Sequence, residues 1–509
     1  MKKNRSVIKK IRIGVLLLGI LMFTAACSGK SRIYPETYEE LDGLRAGAMT
    51  GSIHEEAIRK NFPNSPISFF NTKSDLLEAL IANKIDYFVN NLPSARDMLA
   101  ESDKIKMIDT SVFDNSFAFI FKKDDPASAE LRAHFNEFVA ESMEDGTLEN
   151  LQKVWVDDAE VTSHPPAFEI PSEGENGILT LATSTSQTPY SFIYNGQVTG
   201  FDIQFASLFC KAYGYGLQIS DSTFSSIIPA VSSGKADFGG ACITMTEERA
   251  KSIDFSDPYS YTGQYPIVAG KEASTSAFAD SFRKTFLVEN RWKLVLDGLL
   301  ITFLIFFSSA LFGTILGFGL FLLCRRCGKL FNNIVDKISW VFSGIPMVVI
   351  LMILYYVIFG KSSLSGTLVA TIAFTVSVLL GVNSKLITAV KAIDPGQVEG
   401  AMSLGFTERQ TLFRFILPQA MTQFMPNYIS QIIDMIKGTA IVGYIAVQDL
   451  TKASDIIRSR TYEAFFPLLA TALIYLLVIL LSTAALRKLV VVTEAKNRSD
   501  EQVLRRFGK

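Results

Sequence analysis

The sequence predicts a chain of two parts, an α/β domain followed by an all-α membrane domain of five spans. Three observations predict it. Residues 34–270 alternate short apolar strands with helical segments, the pattern of an open, mostly parallel sheet. Residues 298–324, 338–360, 362–384 and 464–486 carry no charged side chain, and each reaches the roughly 20 apolar residues that cross a bilayer core. A fifth run, 425–448, is apolar except for Asp434 and Lys437. The composition agrees, since 49% of the 509 residues are hydrophobic and 39 are Phe, with the excess in the second half. That length has room for about three domains. The net charge of −1 leaves no nucleic-acid footprint.

The chain starts with Lys2, Lys3, Arg5, Lys9, Lys10 and Arg12, followed by an apolar stretch from Ile13 to Phe23. This is an export signal, too short for a comfortable span. It ends in Thr24-Ala-Ala-Cys27, which resembles a lipoprotein signal with Cys27 as the lipidated residue, although Thr24 stands where Leu is usual. An uncleaved anchor is the alternative. Lys and Arg orient the spans. Arg325, Arg326, Lys329 and Lys337 follow span 1, Lys385, Lys391, Arg409 and Arg414 lie between spans 3 and 4, and Arg487 and Lys488 follow span 5. These are the expected cytoplasmic sides, which place everything before Leu296 outside and the C-terminus in the cytosol. Lys452, Arg458 and Arg460 run against this rule in the span 4–5 loop. Five cysteines make no disulfide framework, and the pairing of Cys210 with Cys242 stays open. Cys324 and Cys327 form a C-x-x-C with no second pair, better suited to packing than to metal.

From Ile178 the pattern runs strand (Ile178–Thr183), Gly200-Phe-Asp202 opening a helix, strand (Leu217–Ser220), Phe224, helix (Ser225–Ser233) and strand (Asp237–Gly240). Ile243-Thr-Met-Thr-Glu-Glu-Arg249 and Asp254-Phe-Ser-Asp-Pro-Tyr259 follow. This order resembles lobe 1 of solute-binding proteins of the polar amino-acid family. Residues 41–123 resemble lobe 2, through Leu41-Asp-Gly-Leu-Arg-Ala-Gly47, the Thr50-Gly-Ser52 turn and Asn83-Lys-Ile-Asp86. An amphipathic segment over 126–157, with Glu144-Asp-Gly-Thr-Leu148 and Trp155, is similar to that family's closing helix. The usual order puts lobe 1 first. Here lobe 2 leads, which reads as a circular permutation across a Pro/Glu/Ser/Gly-rich linker at 158–177. Compact domains tolerate this because their termini are often close together. Two decayed tandem receptors are the competing reading, disfavoured because each half supplies what the other lacks.

A free amino acid needs a cation and N–H donors for its carboxylate, acceptors for its ammonium and a wall for its side chain. Arg249 offers a planar, permanently charged fork, with a surface ion pair to Glu247 or Glu248 as the bland alternative. The resemblance implies Arg249 as the carboxylate-binding residue, Thr244 as its turn partner, Cys242 where Gly or Ser is usual, and Phe224 as an aromatic wall. Ser52 stands at a strand-to-helix turn whose N–H groups favour anions. Asn91 replaces the Asp that pairs with the ammonium in the family, and Gln187 and Ser184 suggest a polar ligand side chain.

Between the apolar runs lies Glu399-Gly-Ala-Met-Ser-Leu-Gly405, and nine residues later Phe415-Ile-Leu-Pro418. This resembles the EAA loop of ABC-importer permeases, the segment that docks into the transport ATPase, with Gly400 for the first Ala and Phe415 for Ile. The resemblance assigns Glu399, Ala401, Gly405 and Pro418 to that contact. Gly298, Thr302, Pro346 and Lys437-Gly-Thr439 also recur in such permeases. Lys437 either pairs with Asp434 three residues away on one helix face or lines a substrate path.

The expected fold is therefore an α/β bilobed periplasmic-binding-protein-like domain followed by an all-α five-span transmembrane permease domain. The expected boundaries are 1–27 signal, 34–157 lobe 2 with closing helix, 158–177 linker, 178–272 lobe 1, 290–495 permease and 496–509 cytosolic tail. The expected function is the substrate-binding and permease component of an importer for a polar amino acid or similar small carboxylate, the tethered receptor docking on the channel. No Gly-x-x-x-x-Gly-Lys-Ser/Thr loop is present, so the expected partners are an ABC ATPase subunit, a second permease copy or a relative, the ligand and membrane lipid. No catalytic constellation, cofactor or metal set is expected. A ligand-gated channel or membrane sensor is the alternative, although no selectivity-filter run is present.

Overall fold

A computed structural model describes residues 32–158, 160–270, 278–362 and 364–507, with side chains up to residue 486. The signal segment and Cys27 lie outside the described residues. Two units are present: the described residues of Met1–Asp114 with Gly263–Thr275, and those of Asn115–Thr262 with Ser276–Lys509.

The first unit is an α/β sheet in the order Ile67–Phe70, Ala46–Met49, Tyr87–Asn91, Ser260–Ala269, Ile105–Met107. The first three strands are parallel, with Ala46 opposite both Ile67 and Tyr87. Ser260–Ala269 runs antiparallel to both neighbours, placing Gln264 opposite Asn91. Helices follow each parallel strand. Thr72 caps Lys73–Ile81 by accepting from the Asp75 N–H, and Asn91 caps Leu92–Glu101, with Pro93 in the first turn. Arg45 ties the strand entry together, its guanidinium 2.6 Å from Asp86 and 2.8 Å from the Asn83 carbonyl.

The second unit contains a five-stranded sheet in the order Gly216–Asp221, Ile178–Thr183, Phe238–Gly239, Ile120–Lys122, Ile253–Phe255. The first three are parallel, and Ile120–Lys122 is antiparallel to both its neighbours. The segment expected as lobe 2 with its closing helix over 34–157 falls in both units, parted at Asp114, and the one expected as lobe 1 over 178–272 is parted at Thr262. The cause is partner availability. Ile120–Lys122 fills the gap between Phe238–Gly239 and Ile253–Phe255, and Ser260–Ala269 fills the matching gap in the first unit. The helix Pro126–Glu144 lays Phe135 and Phe138 against Phe205 and Phe209. Gly146, at φ 80°, makes the turn into Thr147–Gln152 that a side chain would strain. Trp155, fully buried, donates Nε1–H to Gln204 at 2.7 Å.

Among the described residues the helical part of this unit has three helices long and apolar enough to cross a membrane, Trp292–Arg326, Gly366–Lys391 and Phe465–Leu486, or up to five if each of two bent pairs is one span. The run expected to cross unbroken over 338–360 is instead Lys329–Gly344 followed by Met347–Ile358, bent by 107°. Pro346 sits at the break, where it lacks an N–H and pushes Ile345 into an extended conformation. Trp292–Arg326 packs closely on Gly366–Lys391 through Gly313 and Gly317. A Cβ on Gly313 would lie 2.6 Å from the Val378 side chain, and one on Gly317 2.7 Å from the Leu379 carbonyl. Small residues four apart let two helix backbones approach in this way. Thr302 joins two elements, donating to the Gly298 carbonyl at 2.9 Å and accepting from the Leu450 N–H at 3.2 Å.

Candidate functional site

Five of the expected ligand residues belong to the second unit, on three neighbouring loops. Phe224 opens a short 3-10 turn after Gly216–Asp221, Gln187 ends the two-residue strand after Ile178–Thr183, and Cys242, Thr244 and Arg249 follow Phe238–Gly239. Arg249 donates Nη1–H to the Thr244 carbonyl at 2.8 Å, and its guanidinium carbon lies 5.9 Å from the Phe224 ring centre. Its backbone N–H donates to Thr246 Oγ1 at 3.2 Å, which fixes the turn that carries it. Burial lowers the pKa of Arg249 from its usual value, but a guanidinium keeps its charge in proteins. Thr244 Oγ1 accepts from Asn115 Nδ2 at 2.6 Å.

Cys242 has φ 47°, uncommon for a residue with a side chain. Its N–H donates to Asp202 Oδ2 at 2.8 Å, and the Tyr259 hydroxyl donates to Asp202 Oδ1 at 2.6 Å. Asp202 thereby anchors the 242–244 turn from inside the lobe. Burial pushes its carboxyl up to about 7, against the pull of the two hydrogen bonds. Cys242 Sγ lies 3.7 Å from Gln187 Oε1, within reach of a weak hydrogen bond. Cys210 and Cys242 are both buried and form no disulfide, and burial raises the Cys210 thiol to about 12. Sequence reasoning missed the supporting roles of Asp202 and Asn115. The Asp of the Gly-Phe-Asp helix start was the available signal for the first, and no local pattern marks the second.

Ser52 and Asn91 belong to the first unit. The Ser52 hydroxyl donates to the Met49 carbonyl at 2.6 Å, closing the turn into His54–Asn61. Asn91 is buried, and its side-chain carbonyl accepts from the Ser94 N–H at 2.9 Å, so the amide works as a helix cap. His54 Nε2 lies 3.2 Å from Gln264 Oε1, a pair that sequence reading did not bring together.

In the helical part, Pro395–Ser403 is a short loop helix capped by Asp394, and Gly405 follows at φ 84°. Glu399 is exposed, as are the apolar Val398, Met402 and Leu404, the last by 78%. Ala401 is buried and fixes the other face. Phe406 packs edge-on against Phe415 at 4.9 Å. Pro418, half-buried, starts Leu417–Gly438 directly after a π-helical turn, Leu412–Ile416. Its missing N–H explains the widened turn before it. Lys437 Nζ lies 3.4 Å from Asp434 Oδ1 on an exposed helix face. Asp434 also lines a polar cleft of about 480 Å³ with Ser377, Ser384, Lys385, Asn427 and Gln431. Cys324 and Cys327 are free, and among the described residues no group of three or more His, Cys, Asp or Glu is placed to hold a metal.

The model of the bacterial extracellular solute-binding proteins, family 3, matches residues 179–459. The chain belongs to this family. The match begins within the strand Ile178–Thr183 and ends in the helix Leu450–Thr461, beyond the α/β part. The helical part belongs with the permeases of amino-acid ABC transporters. The chain is 32% identical over 194 residues to the arginine transport system permease protein ArtQ of Bacillus subtilis, covering 37% of this chain and 87% of ArtQ. It is 28% identical over 200 residues to the putative glutamine transport system permease protein GlnP of Rickettsia felis, covering 38% of this chain and 89% of GlnP. It is also 33% identical over 118 residues to the arginine-binding extracellular protein ArtP of Bacillus subtilis, covering 23% of this chain and 46% of ArtP. Family 3 receptor and ABC permease thus share one multi-pass chain, a transporter component.

Proposed function

We propose that this chain imports a polar amino acid or a similar small carboxylate, energised by an ATPase carried on a separate chain. The observation that supports this best is the loop 395–405. Its exposed Glu399 stands among exposed Val398, Met402 and Leu404, while Ala401 anchors the helix from behind. An apolar knob of this kind is suited to a protein partner rather than to water. Glu399, Ala401, Gly405 and Pro418 are the residues assigned to ATPase docking. On the opposite face of the membrane, Arg249 takes the ligand carboxylate, with Phe224 as wall and Thr244, Cys242 and Gln187 as polar rim. Ser52 and Asn91 are the proposed ligand contacts of the first unit. Because the Asn91 carbonyl already caps a helix and carries no charge, a ligand ammonium gains less here than from a carboxylate.

The α/β part lies outside the cell and the loop 395–405 inside. Lys452, Arg458 and Arg460 run against this orientation by the charge rule, although all three are buried in protein. Leu300, Leu304, Phe307, Leu311 and Ile315 are exposed along one helix and face lipid or a second copy. Asp434 and the polar cleft it lines belong to the solute path, and Cys27 is the proposed lipid anchor. The test is co-purification of the full chain with an ATPase from its host membrane. Glu399→Lys and Leu404→Asp are expected to lose that ATPase, and its retention by both variants would reject the docking assignment.

A further inference from the structure

We propose that the α/β lobe of the second unit is a fixed part of the permease, held by an apolar interface, one buried ion pair and two further cations bound to backbone carbonyls across it, and does not dock and undock during transport. The first observation is a continuous core. Ile120, Ala182, Ile227, Val231, Ala241 and Ile253 of the lobe fall in the same buried apolar cluster as Ile305, Leu351, Tyr355 and Tyr356 of the helical part. An interface that resembles one domain core cut in half is the mark of an obligate contact, whereas a transient one is more polar.

The second observation is where charge enters that interface. Lys452, on the helix Leu450–Thr461, donates to the Ser222 carbonyl at 3.0 Å and lies 3.5 Å from Asp221. The two side chains are 8% and 3% exposed. Gln448 adds a donor to Asp221 at 3.2 Å. Arg460 on the same helix lies 2.8 Å from Glu289, donates to the Thr162 carbonyl at 2.8 Å and stacks over Phe192 at 4.9 Å. Lys235 of the lobe donates to the Ser362 and Leu364 carbonyls at 2.7 and 3.2 Å. Arg460 would keep Glu289, but every undocking would return Asp221, Lys452 and Lys235 to water and expose the apolar core, and every docking would strip them again.

The latch also touches the pocket rim. Asp221 Oδ1 accepts from the Thr185 N–H at 2.8 Å, two residues before Gln187. The ligand rim, Asp221 and the permease helix therefore form one connected body. Ligand-driven movement then falls to the first unit, across the chain crossings at 114/115 and 262/263. This goes beyond the proposed import function and stands without it, because the latch is the same whatever the solute and partner.

The experiment is a spin-label distance measurement on the full chain in lipid nanodiscs, with Gln197→Cys in the lobe, Phe465→Cys in the helical part, and Cys27 and Cys327 replaced by Ser. One narrow distance band is expected, unchanged when a mixture of the twenty amino acids is added. A second, longer band in the absence of the mixture, lost on its addition, would overturn the proposal. In the same background Asp221→Ala strands Lys452 and is expected to broaden the band, and Asp221→Ala with Lys452→Met is expected to restore it. A band left narrow by the single variant would remove the Asp221–Lys452 pair from the latch. A channel or an importer gives the same bands, so this outcome is independent of the ATPase test.

Discussion

Removing the Arg249 fork tests the ligand site most directly. One of its nitrogens is already occupied by the Thr244 carbonyl at 2.8 Å, and the proposed ligand carboxylate takes two charge-assisted hydrogen bonds from the rest of the fork. Such bonds contribute roughly 1.5–3 kcal/mol each. Arg249→Ala should therefore cost about 3–4 kcal/mol of binding, a rise in Kd of about 10²–10³-fold. Arg249→Lys keeps the charge near Phe224 but loses the planar fork, and an intermediate loss of about tenfold is expected. The stability cost includes the donor lost by the Thr244 carbonyl, about 1 kcal/mol. The assay is a thermal-shift screen of the purified full chain against amino acids, followed by calorimetry on the strongest ligand. The full chain is needed because a cut near residue 275 would expose the core shared by Ile227 and Tyr356. An affinity for that ligand in Arg249→Ala within about threefold of the parent, well inside the predicted change, would refute the assignment.

Three further outcomes follow from single positions. Gly317→Val pushes a side chain into the Leu379 carbonyl. It should destabilise the full chain by about 1–3 kcal/mol, and an unchanged melting temperature would count against the close helix contact. Gly405→Ala meets open space but keeps φ 84°, so it should cost about 1 kcal/mol locally and weaken ATPase co-purification without altering ligand binding. Asp202 has its carboxyl near 7 when folded, against 3.8 as the ordinary value. The folded chain thus holds a proton that the unfolded chain has lost, and this contribution is complete below about pH 3.8 and disappears as pH rises through about 7. Stability should fall over that window by on the order of a few kcal/mol, read as a falling denaturation midpoint, and Asp202→Asn should flatten the slope. A slope retained in that variant would place the titration elsewhere.

Much of the α/β part was legible because its strands are short apolar runs ended by Gly and Asp. Ile178–Thr183 was read to the residue, and Gly200-Phe-Asp202 marked its helix start. The exchange of Ile120–Lys122 and Ser260–Ala269 between the units was not legible, since strand pairing between distant segments leaves no local trace. The 107° break at Pro346 was hidden inside an uncharged run, where composition outvoted the single Pro. The cations of the span 4–5 loop were visible but misleading. Lys452 and Arg460 look like solvated surface charges, and only their partners Asp221 and Glu289, far off in the chain, show that they are interior. For the candidate site, the cluster around Arg249 followed from its motif, while the capping role of Asn91 emerged only with the Ser94 N–H beside it.

The strand Ile120–Lys122 has a consequence for how the chain is made. It is synthesised early, yet its partners at Phe238 and Ile253 arrive only much later. Until then its backbone edge has nothing to bond, and the phenylalanines around it lack their core. A newly made chain must therefore pass through a stage with an unpaired, aromatic strand on display, the kind of edge that recruits other chains. Products truncated before residue 253 should accumulate as aggregates, and holdase chaperones should raise the yield of the complete protein.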